Sequence, residues 1–104
     1  MRPYAYDRDG NPLTLEEWSA LHGDHDYRRV NQTEVNGYNV STVWLGLPQG
    51  FWQGYEAPLI FETMIFKDGD LLDLYCDRYS TEAEAIAGHA AAIMVAEAGG
   101  LEDI

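Results

Sequence analysis

Residues 22–26, His-Gly-Asp-His-Asp, form a dense group of potential metal ligands. Imidazole nitrogens and carboxylate oxygens are common ligands of zinc and similar ions. The pattern His-x-x-His without a glutamate between the histidines matches no zinc signature, however. A metal-dependent enzyme that uses His22, Asp24, His25 and Asp26 is therefore one hypothesis, and a solvated loop after a helix is the alternative.

Glu62 interrupts the apolar stretch Pro-Leu-Ile-Phe-Glu-Thr-Met-Ile-Phe at residues 58–66. A carboxylate is costly to bury unless it is paired. Glu62 therefore pairs with an arginine, accepts hydrogen bonds from neighbouring hydroxyl groups, or faces a pocket. The candidate arginines are Arg28, Arg29 and Arg78. If Glu62 faces a pocket together with Trp44, the protein binds a small molecule or a nucleotide there.

The segment at residues 47–57, Leu-Pro-Gln-Gly-Phe-Trp-Gln-Gly-Tyr-Glu-Ala, combines flexible glycines with large aromatic side chains. Phe51, Trp52 and Tyr55 either fold onto the domain as a lid over the core or form a recognition surface. Contiguous exposed apolar groups tend to mark interaction sites, and aromatic anchors suit a protein interface or stacking on a flat ligand. Trp44, Phe51, Trp52, Tyr55 and Glu62 are therefore the candidate binding residues.

Cys76 and His89 are weaker candidates for chemistry. A single cysteine in an apolar strand-like run is typical of a buried structural thiol, and it excludes an internal disulfide. His89 is expected at a helix surface or against the sheet. The chain contains no phosphate-binding glycine loop and no nucleophile elbow. We therefore assign no catalytic residue and no cofactor, and the sequence favours a protein that is not an enzyme, with the metal-dependent enzyme as an open alternative.

These residues depend on a predicted antiparallel sheet. Residues 38–46 and 58–66 are rich in β-branched and aromatic side chains, which favours two central strands. Asn36-Gly37 predicts a tight turn that joins a strand at 27–35 to the first of them. Residues 71–78 predict a further strand, and residues 4–6 a short one. The second central strand is apolar on both faces, which predicts cover on both sides of the sheet.

Two capping boxes predict helices. Thr14 with Glu17 begins a short helix at 15–22, and Thr81 with Glu84 begins an alanine-rich helix that ends near Ala98. The short helix lies on the same face as the long one or closes an edge of the sheet. The fold class is α+β: a meander of about four strands with the long C-terminal helix on one face. Residues 1–104 form a single domain, with a frayed tail at 99–104.

Composition limits the function further. The chain has 104 residues, is 46% hydrophobic and carries a formal net charge of −12 with only 6 lysines and arginines. Such a field repels nucleic acid and anionic membranes and favours a basic partner. No apolar stretch is long enough to span a membrane, and no signal peptide is apparent at the start. We expect a protein of the cytoplasm that binds neither nucleic acid nor membranes.

Four stretches resemble a family of small uncharacterised bacteriophage proteins. They are Val-Ser-Thr-Val-Trp-Leu-Gly at 40–46, residues 58–66 as quoted above, Arg-Tyr-Ser-Thr-Glu-x-Glu-Ala-x-x-Gly-His at 78–89, and Tyr-Asp-Arg-Asp-Gly-Asn-Pro-Leu-Thr-Leu-Glu-Glu-Trp at 6–18. The family supplies no activity and no catalytic residues. The segment at 47–57 departs from it, since a shorter glycine-rich turn is expected there.

The resemblance implies a non-structural phage protein made in the cytoplasm of a bacterial host. Together with the charge, it gives the leading hypothesis. The protein is an accessory factor that binds a host protein, as a modulator or counter-defence factor, through its acidic surface and its aromatic loop. Exposed sheet edges also leave room for a homodimer.

Overall fold

The computed structural model describes residues 3–48 and 57–101. Its elements in chain order are the strands β1 (Ala5–Tyr6) and β2 (Pro12–Leu13), the helices α1 (Leu15–His22) and α2 (His25–Arg28), the strands β3 (Arg29–Val35), β4 (Tyr38–Trp44), β5 (Phe61–Lys67) and β6 (Asp73–Tyr79), and the helix α3 (Glu82–Ala98). The last four strands form an antiparallel sheet in the order β3-β4-β5-β6, and α3 packs on it. The predicted α+β fold is confirmed.

The turn between β3 and β4 and the starts of α1 and α3 form as the sequence predicts. Asn36 and Gly37 have φ of 53° and 79°, the left-handed backbone that a tight hairpin turn requires. Thr14 and Thr81 each accept a hydrogen bond from the amide three residues later, and Glu17 and Glu84 bond back to the capping residues.

Two strands begin later than predicted. The strand expected at 27–35 starts at Arg29, because the Asp24 side chain caps the single helical turn α2. The strand expected at 71–78 starts at Asp73, because the Asp70 carboxylate accepts hydrogen bonds from the amides of Leu71 and Leu72. In both places a local side-chain to backbone bond competes successfully with the sheet ladder.

The face of the sheet toward α3, here called the inner face, carries the core. Alternate residues of β4 and β5 on this face are buried. One cluster surrounds Val40, Ile65 and Ala92, and a second surrounds Trp44, Phe61 and Ala85. Gly88 lets α3 lie close to the sheet, because a Cβ there would overlap the ring of Tyr79.

The N-terminal segment covers the second cluster beside α3. Trp18 of α1 packs against this cluster and donates its indole N–H to the carbonyl of Leu45 at 3.0 Å. Arg8 ties the segment to α3 through Glu82, with an Nε to Oε1 distance of 2.6 Å. The short helix therefore reaches the second cluster through Trp18 and Leu21, while its backbone lies against α2, β1 and β2 within the described residues.

The C-terminal end of α3 is followed by ordered contacts. Gly99, with φ of 72°, ends the helix, and Leu101 packs half-buried against the first core cluster. Of the tail predicted to fray at 99–104, residues 102–104 lie outside the described part. None of the helices among the described residues is long and apolar enough to cross a membrane.

Candidate functional site

The predicted metal cluster at residues 22–26 does not assemble. The Asp24 carboxylate accepts hydrogen bonds from the amides of Asp26 and Tyr27, so it caps α2. The ring of His22 stacks on Trp18, with 4.6 Å between the ring centroids. No group of His, Cys, Asp and Glu side chains within residues 3–48 and 57–101 is arranged to hold a metal ion. These side chains are divided between the end of α1 and the cap and first turn of α2.

The pocket predicted between Trp44 and Glu62 is also absent from the described residues. Trp44 pairs with Phe61 on the inner face, is fully buried, and donates its indole N–H to the carbonyl of Tyr6. Glu62 pairs with Val43, so its side chain lies on the opposite face of the sheet. The other predicted binding residues, Phe51, Trp52 and Tyr55, lie outside the described residues.

Glu62 forms the ion pair that its position predicted. Its Oε2 lies 3.0 Å from Nε of Arg78 on the neighbouring strand. This hydrogen bond raises the pKa of Arg78. The thiol of Cys76 lies 3.7 Å from the same carboxylate. Glu62, 8% exposed, is thus paired in the way that a buried carboxylate requires.

Cys76 differs from its prediction as a buried thiol. It is exposed, because it lies on the face of the sheet that α3 does not cover. Partial burial of the thiol and the adjacent Glu62 carboxylate raise the pKa of Cys76. A raised pKa lowers the thiolate fraction, so the environment disfavours Cys76 as a nucleophile.

His89 is buried against the sheet in a network of hydroxyl groups. Its Nδ1 lies 2.7 Å from Oγ1 of Thr42, and its Nε2 lies 2.9 Å from Oγ1 of Thr33. Thr42 in turn bonds to Thr63 at 2.5 Å. Burial lowers the pKa of His89, because a charged ring loses its hydration there. His89 is 2% exposed, and Thr42 and Thr63 are fully buried, so these three side chains form a polar part of the core.

The face of the sheet that points away from α3 is here called the outer face. Its residues form three rows across the strands β3 to β6. The rows are Glu34, Asn39, Phe66 and Asp73; then Gln32, Ser41, Met64 and Cys76; then Arg29, Val43, Glu62 and Arg78. Of the helices in the described part, α3 packs on the inner face, and α2 contacts β3 and β4 at one end of the sheet, where Tyr27 meets Trp44. The cover predicted on both sides of the sheet is thus present on the inner side alone in the described part.

One end of the outer face carries a pocket of about 340 Å³. Here called the acidic pocket, it combines carboxylates with apolar groups beside the turn between β5 and β6. It is lined by Glu34, Asn39, Phe66, Lys67, Asp68, Gly69, Asp70 and Leu71. Leu71 and its neighbour Leu72 are 93% and 74% exposed. Large apolar groups so fully in water are unusual next to a cavity, which makes this a candidate contact surface.

The opposite end carries a smaller pocket of about 110 Å³. Here called the basic pocket, it is lined by His25, Arg28, Arg29, Gln32, Ser41 and Val43. None of these lining residues is acidic. The Nε of Arg28 is buried and has no hydrogen-bond partner among the described residues. An unsatisfied buried donor costs about 1–3 kcal/mol, and more when the group is charged.

Sequence reasoning missed the basic pocket because it placed Arg28 and Arg29 in one strand, where adjacent side chains point to opposite faces. In the structure Arg28 ends α2 and Arg29 begins β3, so the alternation does not apply and both line the same pocket. The signal that could have found it is Asp24, an aspartate at capping position before a short helical turn.

Comparisons with known proteins give no family. No family model matches the chain, no curated protein matches it, and no solved structure matches it. The resemblance to phage proteins therefore stays a prediction, and the geometry of the outer face carries the functional argument.

Proposed function

We propose that the protein works by binding a basic protein partner through the acidic pocket on its outer face. The observation that carries this proposal is the combination of Glu34, Asp68 and Asp70 with the exposed Leu71 around one cavity lined by Phe66. A lysine or arginine of the partner meets the carboxylates, and an apolar side chain of the partner packs on Phe66 and Leu71.

The charge of the chain favours a basic protein partner over nucleic acid or a second copy of the chain. The chain carries a formal net charge of −12, and the acidic pocket has three carboxylates against the single amine of Lys67. Such a field attracts a basic surface and raises the association rate at low ionic strength. It repels nucleic acid for the same reason. A second copy of the chain carries the same charge, which disfavours a homodimer through this surface.

Apolar exposure supplies the second argument. Interfaces gain most of their affinity from a few apolar anchors that lose contact with water on binding. Leu71 and Leu72 are both exposed, and they precede β6 at the edge of the sheet. The carboxylates around these leucines then determine which partner binds and how fast it associates. Burial of the leucines slows dissociation of the complex.

The resemblance to phage proteins adds a narrower proposal, in which the partner is a protein of the bacterial host and the encounter takes place in the host cytoplasm. The predicted aromatic loop belongs to that narrower proposal too. The outer-face surface does not depend on either point.

The test compares three forms of the full chain as bait in host lysate: wild type, Leu71→Ser/Leu72→Ser, and Met94→Ser. Met94 is a matched control because it is a large apolar side chain, 71% exposed, on α3. A protein retained by wild type and Met94→Ser, but lost with the leucine variant, is then purified and titrated directly.

The proposal requires that this purified partner be basic and that its affinity fall as salt rises. Asp68→Asn should weaken binding more than Glu97→Gln, which removes an equal charge from an exposed position at the end of α3. Capture that is independent of Leu71 and Leu72, a partner that is acidic, or self-association of the chain through this surface would each overturn it.

A further inference from the structure

We infer that the basic pocket binds a phosphate group, carried by inorganic phosphate or by a small phosphomonoester. This site lies at the other end of the outer face from the acidic pocket, and it does not rest on the proposed protein partner. The inference begins from the unusual charge of the pocket. In a chain with 18 acidic residues and 6 lysines and arginines, this cavity collects two arginines and a histidine with no lining carboxylate.

The lining residues supply donors in the form that phosphate needs. Each guanidinium carries five N–H donors in a planar fork, which matches phosphate oxygens better than an ammonium does. The amide of Gln32 and the hydroxyl of Ser41 add neutral donors. One hydrogen of the Gln32 amide is already used by Asn39 at 3.3 Å, and the other is not used within the described residues.

Arg28 provides the strongest single observation. Its Nε is buried, and no described residue accepts a hydrogen bond from it. The arginines Arg8 and Arg78, by contrast, each hold a carboxylate at 3.0 Å or less. Neither Arg28 nor Arg29 forms an ion pair with any described residue. An anion in the pocket would give both guanidinium groups the negatively charged partner that Glu82 and Glu62 give to Arg8 and Arg78.

The size and shape of the basic pocket limit which ligands it can hold. A cavity of about 110 Å³ holds one tetrahedral oxyanion but not a nucleobase or a whole nucleotide. His25, Arg29 and Gln32 are exposed, so the remainder of a phosphomonoester would extend over the surface. Donors from five side chains exceed what the two oxygens of a carboxylate can accept, which favours phosphate over acetate.

The experiment titrates the full chain with inorganic phosphate, phenyl phosphate and sodium acetate at constant ionic strength. Amide and arginine Nε resonances are followed by NMR, and the dissociation constants are measured by calorimetry. Phosphate probes should shift the Nε resonances of Arg28 and Arg29. Tighter binding of phenyl phosphate indicates a phosphomonoester, and tighter binding of inorganic phosphate indicates the free ion.

Arg29→Gln is the decisive variant, because Arg29 is exposed and its replacement leaves the core intact. It should weaken the phosphate probes about tenfold or more, as expected for a charge-assisted bond. Arg28→Gln should do the same where it folds. Lys67→Gln removes the same charge from the acidic pocket and should change the affinity less than twofold.

Three results would overturn the inference. The first is that neither phosphate probe shifts Arg28 or Arg29. The second is that Lys67→Gln and Arg29→Gln weaken binding equally, which would indicate only a general charge effect. The third is that acetate binds as tightly as the phosphate probes.

Discussion

Ser41 and Thr42 are neighbours on β4 and both carry a hydroxyl group, but they lie on opposite faces of the sheet. Thr42 is fully buried on the inner face and bonds to His89 and Thr63. Ser41 is half-buried on the outer face and lines the basic pocket. The same chemical group is therefore a fixed part of the core in one position, and in the next it has no hydrogen-bond partner among the described residues.

The difference extends to the whole sheet. On the inner face, both ring nitrogens of His89 have hydroxyl partners, while the hydroxyl of Tyr79 is buried with no hydrogen-bond partner among the described residues. On the outer face, Arg28 and Arg29 form no ion pair with a described residue, and the carboxylates of the acidic pocket line an open cavity. Stability and recognition are thus assigned to opposite faces, so substitutions on the two faces should have separable effects.

Gly88→Val should give the largest loss of stability. Even a Cβ at this position would overlap the ring of Tyr79, which is buried and cannot move aside easily. We expect the free energy of unfolding to fall by about 3 kcal/mol or more from overpacking. Ala87→Val is the control, since Ala87 is the exposed neighbour in α3 and should lose only about 0.5 kcal/mol of helix propensity. Chemical denaturation measures both, and equal losses would contradict the close packing of α3 on the sheet.

Thr42→Val tests the buried network. Valine keeps the volume but removes the hydroxyl, so Nδ1 of His89 and Oγ1 of Thr63 each lose a partner. The free energy of unfolding should fall by about 1–3 kcal/mol. Ser41→Ala, which removes the neighbouring hydroxyl from the outer face, should change it by less than about 0.5 kcal/mol. Similar losses for the two variants would show that the two faces are not distinct.

His89 should make the inner face sensitive to acid. Burial lowers its pKa below the ordinary value near 6.5, so the unfolded chain binds the proton more tightly than the folded protein does. The contribution of His89 is present above about pH 6.5 and is lost as the pH falls through the lowered pKa, by about 1.4 kcal/mol for each unit of lowering.

His89→Gln provides the control, because glutamine can bond to Thr33 and Thr42 but does not titrate. The difference in unfolding free energy between wild type and His89→Gln should shrink or reverse below pH 6.5. A difference that stays constant from pH 8 to pH 5 would contradict the burial of a neutral ring. Comparing the two proteins removes the effect of the carboxylates, which titrate in both.

Leu71→Ser/Leu72→Ser should have the smallest effect on stability. Both side chains are exposed and precede β6, so the melting temperature should change by no more than about 2 °C, in keeping with a surface substitution. The same variant is expected to lose the protein partner. A large fall in melting temperature would show that these leucines belong to the core, and the acidic pocket would lose its role as a contact surface.

The sequence was most informative where local rules govern the backbone. Asn36-Gly37, the two capping boxes and the alternation of β4 and β5 predicted the meander and α3 correctly. It was least informative about the sites. Trp44 and Glu62 were grouped by chemical interest, although their positions in paired strands set them on opposite faces. The register needed to see this comes from long-range pairing, which a single sequence does not contain.

The basic pocket is a second feature that a single sequence does not predict, because it also depends on long-range contacts. Its residues come from α2, β3 and β4, and only the one-turn helix α2 brings Arg28 to the side of Arg29. The Asp24 carboxylate caps this turn and so favours it over continuation of the strand. The bond between the Asp24 side chain and the backbone of α2 thus helps to place the charges of Arg28 and Arg29 in the same pocket.

The most direct test of the division between the faces is NMR mapping on wild-type protein titrated with phosphate and, separately, with a lysine-rich peptide that contains leucine. Phosphate should shift resonances around the basic pocket, at Arg28, Arg29, Gln32 and Ser41. The peptide should shift those around the acidic pocket, at Glu34, Phe66, Asp68 and Leu71. Shifts confined to the exposed side of α3, or the absence of shifts on the outer face with both probes, would contradict the account.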